Sequence, residues 1–412
     1  MTVSVESRRP LAVGRFAAMT AGGWTTRLDA LWLAALAYGV YWAANNGGFM
    51  YFNYHLHLAF SFLQGRLWIA SPPSWLTEFA FYEGRPYVYF DPFPSVFLLP
   101  FAARWGLQVN LAQVSMAVGA LNVALLRLLF GVLGVRRSTA NWTTLLFAAG
   151  TVHFFAAMYG NTWLLAHLLA VAALTLAWLE ATSQANPFLL GLLCAIAATS
   201  RSPALMGAPA LLFLVLERRR GAWFRTLFEF SLPLAVTAVL LGLYNFARFG
   251  DPLNNGYLMA NQALLNPEHG SFSWRYIPQN VYQYFVRFPQ FASEWPYVRL
   301  DDHGLSLLAT TPAVLLLLRP GWSKLAPRAV LRGWVALAGC ILTLGLYLCY
   351  FWDGWQQFGS RYTLDFTPFL MVALALKNDD RPRHWRWLFL FLVALSIVVN
   401  VYGVWWWQTM RG

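Results

Sequence analysis

Two short stretches of this chain carry side chains that could act as a base. His55 and His57 are separated by one residue, and an imidazole is partly neutral near pH 7, when it can accept a proton. Asp91 precedes Pro92 at the start of an apolar stretch, where burial would raise the pKa of its carboxyl group towards that of a useful base. Simpler roles are open to both: the histidines could form an interfacial aromatic pair, and Asp91 could cap the following helix.

The two histidines also have the sequence spacing of a metal-binding pair. Residues i and i+2 of a helix point about 200° apart, so His55 and His57 could share one metal ion only in an extended segment. We therefore assign no metal ligands to this stretch.

Arg361 is the strongest candidate for binding an anion. It begins an apolar run, where an unpaired guanidinium would be costly and a phosphate group would compensate it with two parallel hydrogen bonds. The alternative is a salt bridge to Asp353 or to Asp365, which lies four residues further on, one turn of an α-helix. Arg201 and Arg66 are further candidates for the same role.

Composition indicates the kind of protein that positions these residues. Hydrophobic residues make up 58% of the chain and charged residues 11%, against about 25% charged in an ordinary soluble domain. So few charges cannot cover a globular surface, which predicts a polytopic membrane protein. The net charge of +12 fits basic loops that face anionic membrane lipids, so nucleic acid is not required as a partner. The cysteines lie in apolar runs and predict neither disulfides nor thiol chemistry: Cys194, Cys340 and Cys349.

A membrane-spanning helix needs about 20 apolar residues, and we expect an all-α bundle of about eleven spans (roughly 10–13). The candidate spans are 28–49, 109–134, 141–159, 162–180, 187–200, 204–216, 227–249, 304–318, 333–352, 361–376 and 387–407. By the positive-inside rule, the links rich in arginine and lysine are cytoplasmic. The polar, aromatic stretches 50–92 and 250–303 then lie on the outer face of the plasma (inner) membrane. The remaining divisions are a basic cytoplasmic N-terminus at 1–27, one bundle at 28–407 and a tail at 408–412.

Three segments depart from simple alternation of spans. We expect 92–106, which contains several prolines, to enter the membrane without crossing it. Within 187–216, we expect a break at Arg201, Ser202 and Pro203, because a proline cannot continue a helix without losing a backbone hydrogen bond. The apolar spacing over 53–67 predicts an amphipathic helix that lies in the membrane interface.

Six motifs follow one another along the chain. They are HLAFSFLQGRL at 57–67, YEGRPYV at 82–88, DPFP at 91–94, ATSRSP at 198–203, NFARFGDPLNNGY at 245–257 and WQQFGSRYTLDFTPF at 355–369. In their order and spacing, over roughly 30–407, they resemble the GT-C superfamily of membrane glycosyltransferases. The wider likeness is to protein mannosyltransferases and lipid A aminoarabinose transferases.

This resemblance implies an enzyme that moves a sugar from a polyprenyl-phosphate donor to an envelope lipid, glycan or protein on the outer face. Such enzymes usually carry a pair of acidic residues soon after the first span, and a divalent metal is compatible with that pattern. At the matching place, 53–57 contains no acidic residue. We therefore expect Asp91, His55 or His57 to act as the base, and Arg361, Arg201 or Arg66 to bind the donor phosphate. Aromatic residues of the outer face could stack on sugar rings: Tyr82, Tyr87, Tyr89, Trp163 and Tyr257.

Two other functions remain open at this point. A carrier or flippase for lipid-linked sugars would need charged residues along a path through the membrane, and the candidate spans contain few. A catalytically inactive scaffold with the same architecture would explain the absent acidic pair. Membrane lipids are the other expected partners, and the sequence does not define the oligomeric state.

Overall fold

A computed structural model describes residues 23–48, 51–262, 264–265, 268–319, 322, 326–379 and 383–410. Most of these residues are helical, and the few strands are two or three residues long. The helices are α1 (Trp24–Asn45), α2 (Tyr54–Leu63), α3 (Phe93–Trp105), α4 (Leu111–Leu133), α5 (Arg137–Ala149), α6 (His153–Tyr159), α7 (Thr162–Thr182), α8 (Pro187–Ser200), α9 (Ala208–Arg218), α10 (Trp223–Phe249), α11 (Tyr257–Asn261), α12 (Ile277–Val281), α13 (Leu307–Thr310), α14 (Pro327–Leu348), α15 (Thr367–Asp379) and α16 (Arg383–Met410).

Five of these helices are long and apolar enough to cross a membrane, which indicates a helical membrane protein. They are α4, α7, α10, α14 and α16. The predicted count of about eleven spans is wrong for the described residues, because several predicted spans form helices shorter than the roughly 17 residues that a crossing needs. Thus α5 and α15 have 13 residues each, α8 has 14 and α9 has 11. The apolar run 304–318 divides into the four-residue α13 and a 3₁₀-helix, Pro312–Leu318.

The long helices differ in how much of their surface the protein covers. About 78% of the apolar window of α7 is buried in the protein, whereas only 17% of that of α10 is buried. Helix α7 packs against α4 on one side and α8 on another, and α8 separates it from α10. The exposed side chains of α10 are large and apolar, for example Val239, Leu240 and Leu243, as expected for a helix that faces lipid.

The contact between α8 and α10 depends on a glycine. A Cβ atom at Gly191 would overlap the carbonyl oxygen of Phe230. A small residue at this position lets the two backbones approach closely, which is the usual way in which apolar helices gain contact in a membrane.

The predicted break after α8 is confirmed. Helix α8 ends at Ser200, a 3₁₀-helix covers Ser202–Gly207, and α9 begins at Ala208. Pro203 lies at the start of the 3₁₀-helix, where its missing N–H costs no helical hydrogen bond. The break places the polar residues Arg201 and Ser202 on the wall of a cavity described below.

The two segments near the first polar stretch are both helical and short. Helix α2 confirms the helix predicted within 53–67, but six of its ten residues are buried and it packs against α3, so it does not lie on the surface as an interfacial helix would. Helix α3, with 13 residues, is too short to span a bilayer core of about 30 Å.

The stretches 51–92 and 250–303 contact each other at one end of the bundle. A hairpin of β1 (Ala80–Tyr82) and β2 (Arg85–Tyr87) pairs Ala80 with Tyr87, and its turn residues Glu83 and Gly84 both have positive φ. Phe249, at the end of α10, packs against this hairpin. A second short hairpin, β3 (Gln290–Phe291) with β4 (Val298–Arg299), lies in the later stretch.

Candidate functional site

A cavity of about 220 Å³ lies beside the interruption between helices α8 and α9. Residues from five parts of the chain form its wall: α2, the segment that ends at Asp91, the start of α7, the residues between α8 and α9, and the end of α14. The polar or aromatic side chains that matter for chemistry are His55, Tyr89, Asp91, Trp163, Arg201, Ser202, Tyr257, Tyr347 and Tyr350. Six of the eleven residues predicted for the site therefore line one cavity, although they come from four separate parts of the sequence.

The carboxylate of Asp91 is held by Ser202. It accepts a hydrogen bond from the Ser202 backbone N–H at 2.9 Å and from the Ser202 hydroxyl at 2.8 Å. It does not cap α3, since the residue before that helix is Pro92 and no side chain caps it. Burial raises the pKa of Asp91, while the Ser202 hydrogen bonds and the charge of Arg201 oppose the rise. A carboxylate in this position can accept a proton from a group that enters the cavity.

His55 is fully buried on the same cavity, and its Nδ1 lies 3.0 Å from the hydroxyl oxygen of Ser95. Burial, together with the charge of Arg201, lowers the pKa of His55 to about 3. A group with so low a pKa is a weak base, so Asp91 is the better candidate of the two. His57 lines neither this cavity nor the neighbouring one, because α2 is helical and turns its two histidines to different sides.

A second cavity of about 480 Å³ adjoins the first and shares part of its wall, namely Tyr89, Trp163, Arg201, Tyr257 and Tyr350. Arg361 lies on this second cavity and is only 9% exposed. One guanidinium nitrogen donates to the carbonyl oxygen of Trp355 at 3.0 Å, and the guanidinium carbon lies 5.6 Å from the centre of the Trp163 ring.

Arg361 forms neither of the salt bridges that the sequence left open as alternatives. Asp353 pairs with His303 at 2.8 Å, and Asp365 pairs with His167 at 2.6 Å. Asp365 lies four residues after Arg361, but Arg361–Phe366 is a 3₁₀-helix, in which residues three apart, not four, lie above one another. Among the residues described, Arg361 forms no salt bridge, although the carboxylate of Glu78 lines the same cavity and its charge interacts with that of Arg361. The guanidinium group therefore keeps donors that an anion in the cavity could use.

Arg201 belongs to a buried polar network. Its Nε lies 3.6 Å from Asp365, and the same carboxylate accepts hydrogen bonds from Tyr347 and from His167. Burial alone would raise the pKa of Asp365, but the nearby His167 and Arg201 lower it overall. The network fixes the Arg201 guanidinium, which contributes to the walls of both cavities.

Sequence reasoning did not identify His167, Tyr347 or Ser202 as parts of the site. His167 had one available signal, because it lies one helical turn after Trp163 on α7 and therefore on the same side of that helix. Tyr347 and Ser202 contact the site through pairings distant in sequence, which periodicity does not reveal.

Besides His57, three predicted residues lie away from both cavities. Arg66 donates a hydrogen bond to Gln64, and Tyr82 packs edge-on against Phe249 in the hairpin. Tyr87 is buried against the same phenylalanine, with ring centres 5.1 Å apart. We therefore withdraw these three from the proposed site, together with His57, because none of them lines either of the two cavities.

The residues around the cavities do not fit a metal site. The described part of the chain contains no group of three His, Cys, Asp or Glu side chains close enough to bind one ion. The oxygens of Asp91 and Asp365 already accept hydrogen bonds from Ser202, His167 and Tyr347. The chemistry proposed below therefore includes no step at a metal.

Comparisons with protein-family models, with curated proteins and with solved structures find no match for this chain. The likeness to the GT-C superfamily thus stays a prediction from the sequence. The function has to be inferred from the two adjoining cavities and the residues that line them.

Proposed function

We propose that this chain is a membrane glycosyltransferase that moves a sugar from a polyprenyl-phosphate donor to the hydroxyl group of an envelope lipid, glycan or protein. One observation supports this most strongly. Asp91, Arg201, Arg361 and a group of aromatic rings line two cavities that share a wall. A base, two cations and ring-stacking surfaces are the groups that transfer from a phosphate-linked sugar requires.

The donor phosphate would bind between the two arginines. Arg361 forms no salt bridge with the described residues, and Arg201 is held in place by Asp365 and Tyr347. The sugar would then lie against Trp163, which contributes to both cavity walls. Burial of the arginines strengthens their attraction for an anion, because little water competes with it.

Transfer would take place in one displacement, with inversion at the sugar carbon. The acceptor oxygen forms a bond to C1 of the sugar as the bond between C1 and the phosphate oxygen breaks. Asp91 takes the proton of the acceptor hydroxyl. The bonding electrons leave with the phosphate, and Arg361 and Arg201 stabilise the negative charge that it gains.

A transfer assay tests this function. Purified protein in detergent is incubated with a panel of polyprenyl-phosphate sugars and a mixed lipid and glycan acceptor fraction, and release of polyprenyl phosphate is measured. Asp91→Asn keeps the shape of the side chain and an oxygen that accepts from Ser202, but removes its basicity. We expect it to reduce turnover by at least about 100-fold.

The matched control is Glu83→Gln, which removes an exposed carboxylate at the tip of the β1–β2 hairpin. It should turn over at the wild-type rate. No release with any donor in the panel would count against the enzyme and favour a carrier or an inactive scaffold. Full activity in Asp91→Asn would remove Asp91 from the mechanism.

A further inference from the structure

A third cavity, of about 410 Å³, lies at the opposite end of α7 from the candidate site. Trp163 at the start of α7 lines the first two cavities, and Thr182 at its end lines the third. At 1.5 Å per residue, the 19 steps between them correspond to about 29 Å, close to the roughly 30 Å of a bilayer core. The third cavity therefore lies near the other membrane surface.

This basic cavity is formed by the ends of α7 and α9 and the start of α14, and three arginines line it: Arg218, Arg328 and Arg332. Arg218 donates to the carbonyl oxygens of Thr182 at 2.6 Å and Ser183 at 3.2 Å, the free acceptors at the end of α7. These contacts fix one guanidinium in the cavity wall.

The positive charges of the other two arginines, Arg328 and Arg332, are not balanced by an acidic partner among the described residues. Within the described ranges, neither Arg328 nor Arg332 forms a hydrogen bond or an ion pair. The single acidic residue in the wall, Glu217, is paired with Arg220 at 2.8 Å. The three arginines line one cavity, where like charges repel one another, and burial and then the charge of Arg328 lower the pKa of Arg218.

The placement of these arginines on α14 adds to the positive potential. Arg328 and Arg332 are four residues apart and therefore lie on the same face of the helix, where two like charges destabilise it. They also occupy its first turns, where the helix dipole is positive. Folding alone does not favour such an arrangement, whereas a bound anion would compensate all of these charges together.

We propose that the basic cavity binds a phosphate group. Guanidinium groups match the oxygens of a phosphate by paired hydrogen bonds, and the cavity lies at the depth of the lipid headgroups. The phosphate could belong to an anionic phospholipid of that leaflet or to a soluble anion. This site is separate from the proposed transfer site, and neither proposal depends on the other.

The two sources of phosphate are distinguished by two titrations of the full-length chain in neutral detergent. Phosphatidylglycerol binding is followed by native mass spectrometry, and inorganic phosphate binding by calorimetry at constant ionic strength. The test variant is Arg328→Gln with Arg332→Gln. Since each arginine at a charged lipid surface changes affinity by about fivefold, the double variant should bind about 25-fold more weakly.

The control is Arg27→Gln with Arg225→Gln, which removes the same number of charges from residues that do not line the cavity. It should bind as the wild type does. Loss of phosphatidylglycerol binding only in the test variant identifies a lipid site, and loss of inorganic phosphate binding identifies a soluble anion. The proposal is overturned if the wild type binds neither probe, or if the test and control variants bind equally. The test variant should fold, because its substitutions remove repulsion between like charges.

Discussion

At the residue scale, the central question is which side chain acts as the base. Asp91 and His55 line the same cavity, yet burial has opposite consequences for them: it raises the pKa of the carboxyl and lowers that of the imidazole to about 3. Burial disfavours the charged form in both cases. It therefore makes Asp91 a stronger base and His55 a weaker one.

This contrast predicts the pH dependence of transfer. Asp91 must be ionised to accept a proton, and its pKa is raised above the ordinary value for aspartate. The rate constant kcat/KM should therefore begin to fall at a higher pH than it would for an exposed aspartate, as the solution is acidified from neutrality. A pH profile of the wild-type protein measures this. A rate that stays level until the protein unfolds in acid would instead point to His55 or to no titrating base.

The second prediction at this scale concerns Arg361. Arg361→Lys keeps the charge but loses the paired hydrogen bonds to phosphate, and it should weaken use of the donor. Arg361→Ala should cost about 2–4 kcal/mol of transition-state stabilisation, measured as the ratio of kcat/KM values. The control is Arg275→Ala, an exposed arginine that lines neither cavity of the candidate site. Wild-type kinetics in a folded Arg361→Ala protein would remove this residue from the donor site.

At the scale of elements, local chemistry predicts some boundaries and misses others. The break at Pro203 could be predicted because a proline in the interior of a helix removes one backbone hydrogen bond. The 3₁₀-helix Arg361–Phe366 could not, since a run of apolar residues has no spacing that separates it from an α-helix. Because this segment is a 3₁₀-helix and not an α-helix, Asp365 pairs with His167 and not with Arg361.

Helix α1 is joined to the bundle by a buried ion pair whose loss should be costly. Asp29 accepts hydrogen bonds from Arg127 and Arg137, each at 2.7 Å, and Asp29 and Arg127 are almost completely buried. Asp29→Asn would leave the Arg127 guanidinium without its counter-charge. We expect a loss of about 3–5 kcal/mol in the free energy of unfolding, seen as a lower melting temperature in detergent.

The control for this variant is Asp251→Asn. Asp251 is exposed, and an asparagine can keep the hydrogen bond that its side chain accepts from the Leu253 N–H. It should melt close to the wild-type temperature. Equal melting temperatures for the two variants would show that the buried pair does not hold α1 in place.

At the scale of the whole molecule, apolar sequence alone overestimates the number of spans. A short apolar helix in the interior of a bundle has the same composition as part of a spanning helix, so an apolar run does not by itself show whether its helix is long enough to cross the membrane. Of the residues that the sequence predicted for the site, Asp91 and Arg361 line two adjoining cavities, and Trp163 lines both. The sequence could not predict the pairing of His167 with Asp365, because these residues are 198 positions apart and come into contact only through the packing of α7.

The orientation of the molecule in the membrane is a prediction that labelling can test. In a background with Cys349 replaced by alanine, Ser74→Cys on the first polar stretch should react with an impermeant maleimide in intact cells. Ala222→Cys, next to the arginines that precede α10, should react only after the cells are opened; both positions are exposed. The reverse pattern would place the candidate site in the cytoplasm. The charge pattern also predicts that Ser323 is cytoplasmic, but Ser323 lies outside the described residues.

The most direct test of the central claim is a cryo-electron microscopy structure of the protein in lipid nanodiscs with a polyprenyl phosphate. We expect density for the phosphate within hydrogen-bond reach of Arg361, with nitrogen–oxygen distances of about 3 Å, and density for the first isoprene units leading away from the shared wall of the two cavities. Phosphate density distant from both Arg361 and Arg201, with the two cavities empty, would contradict the proposed site.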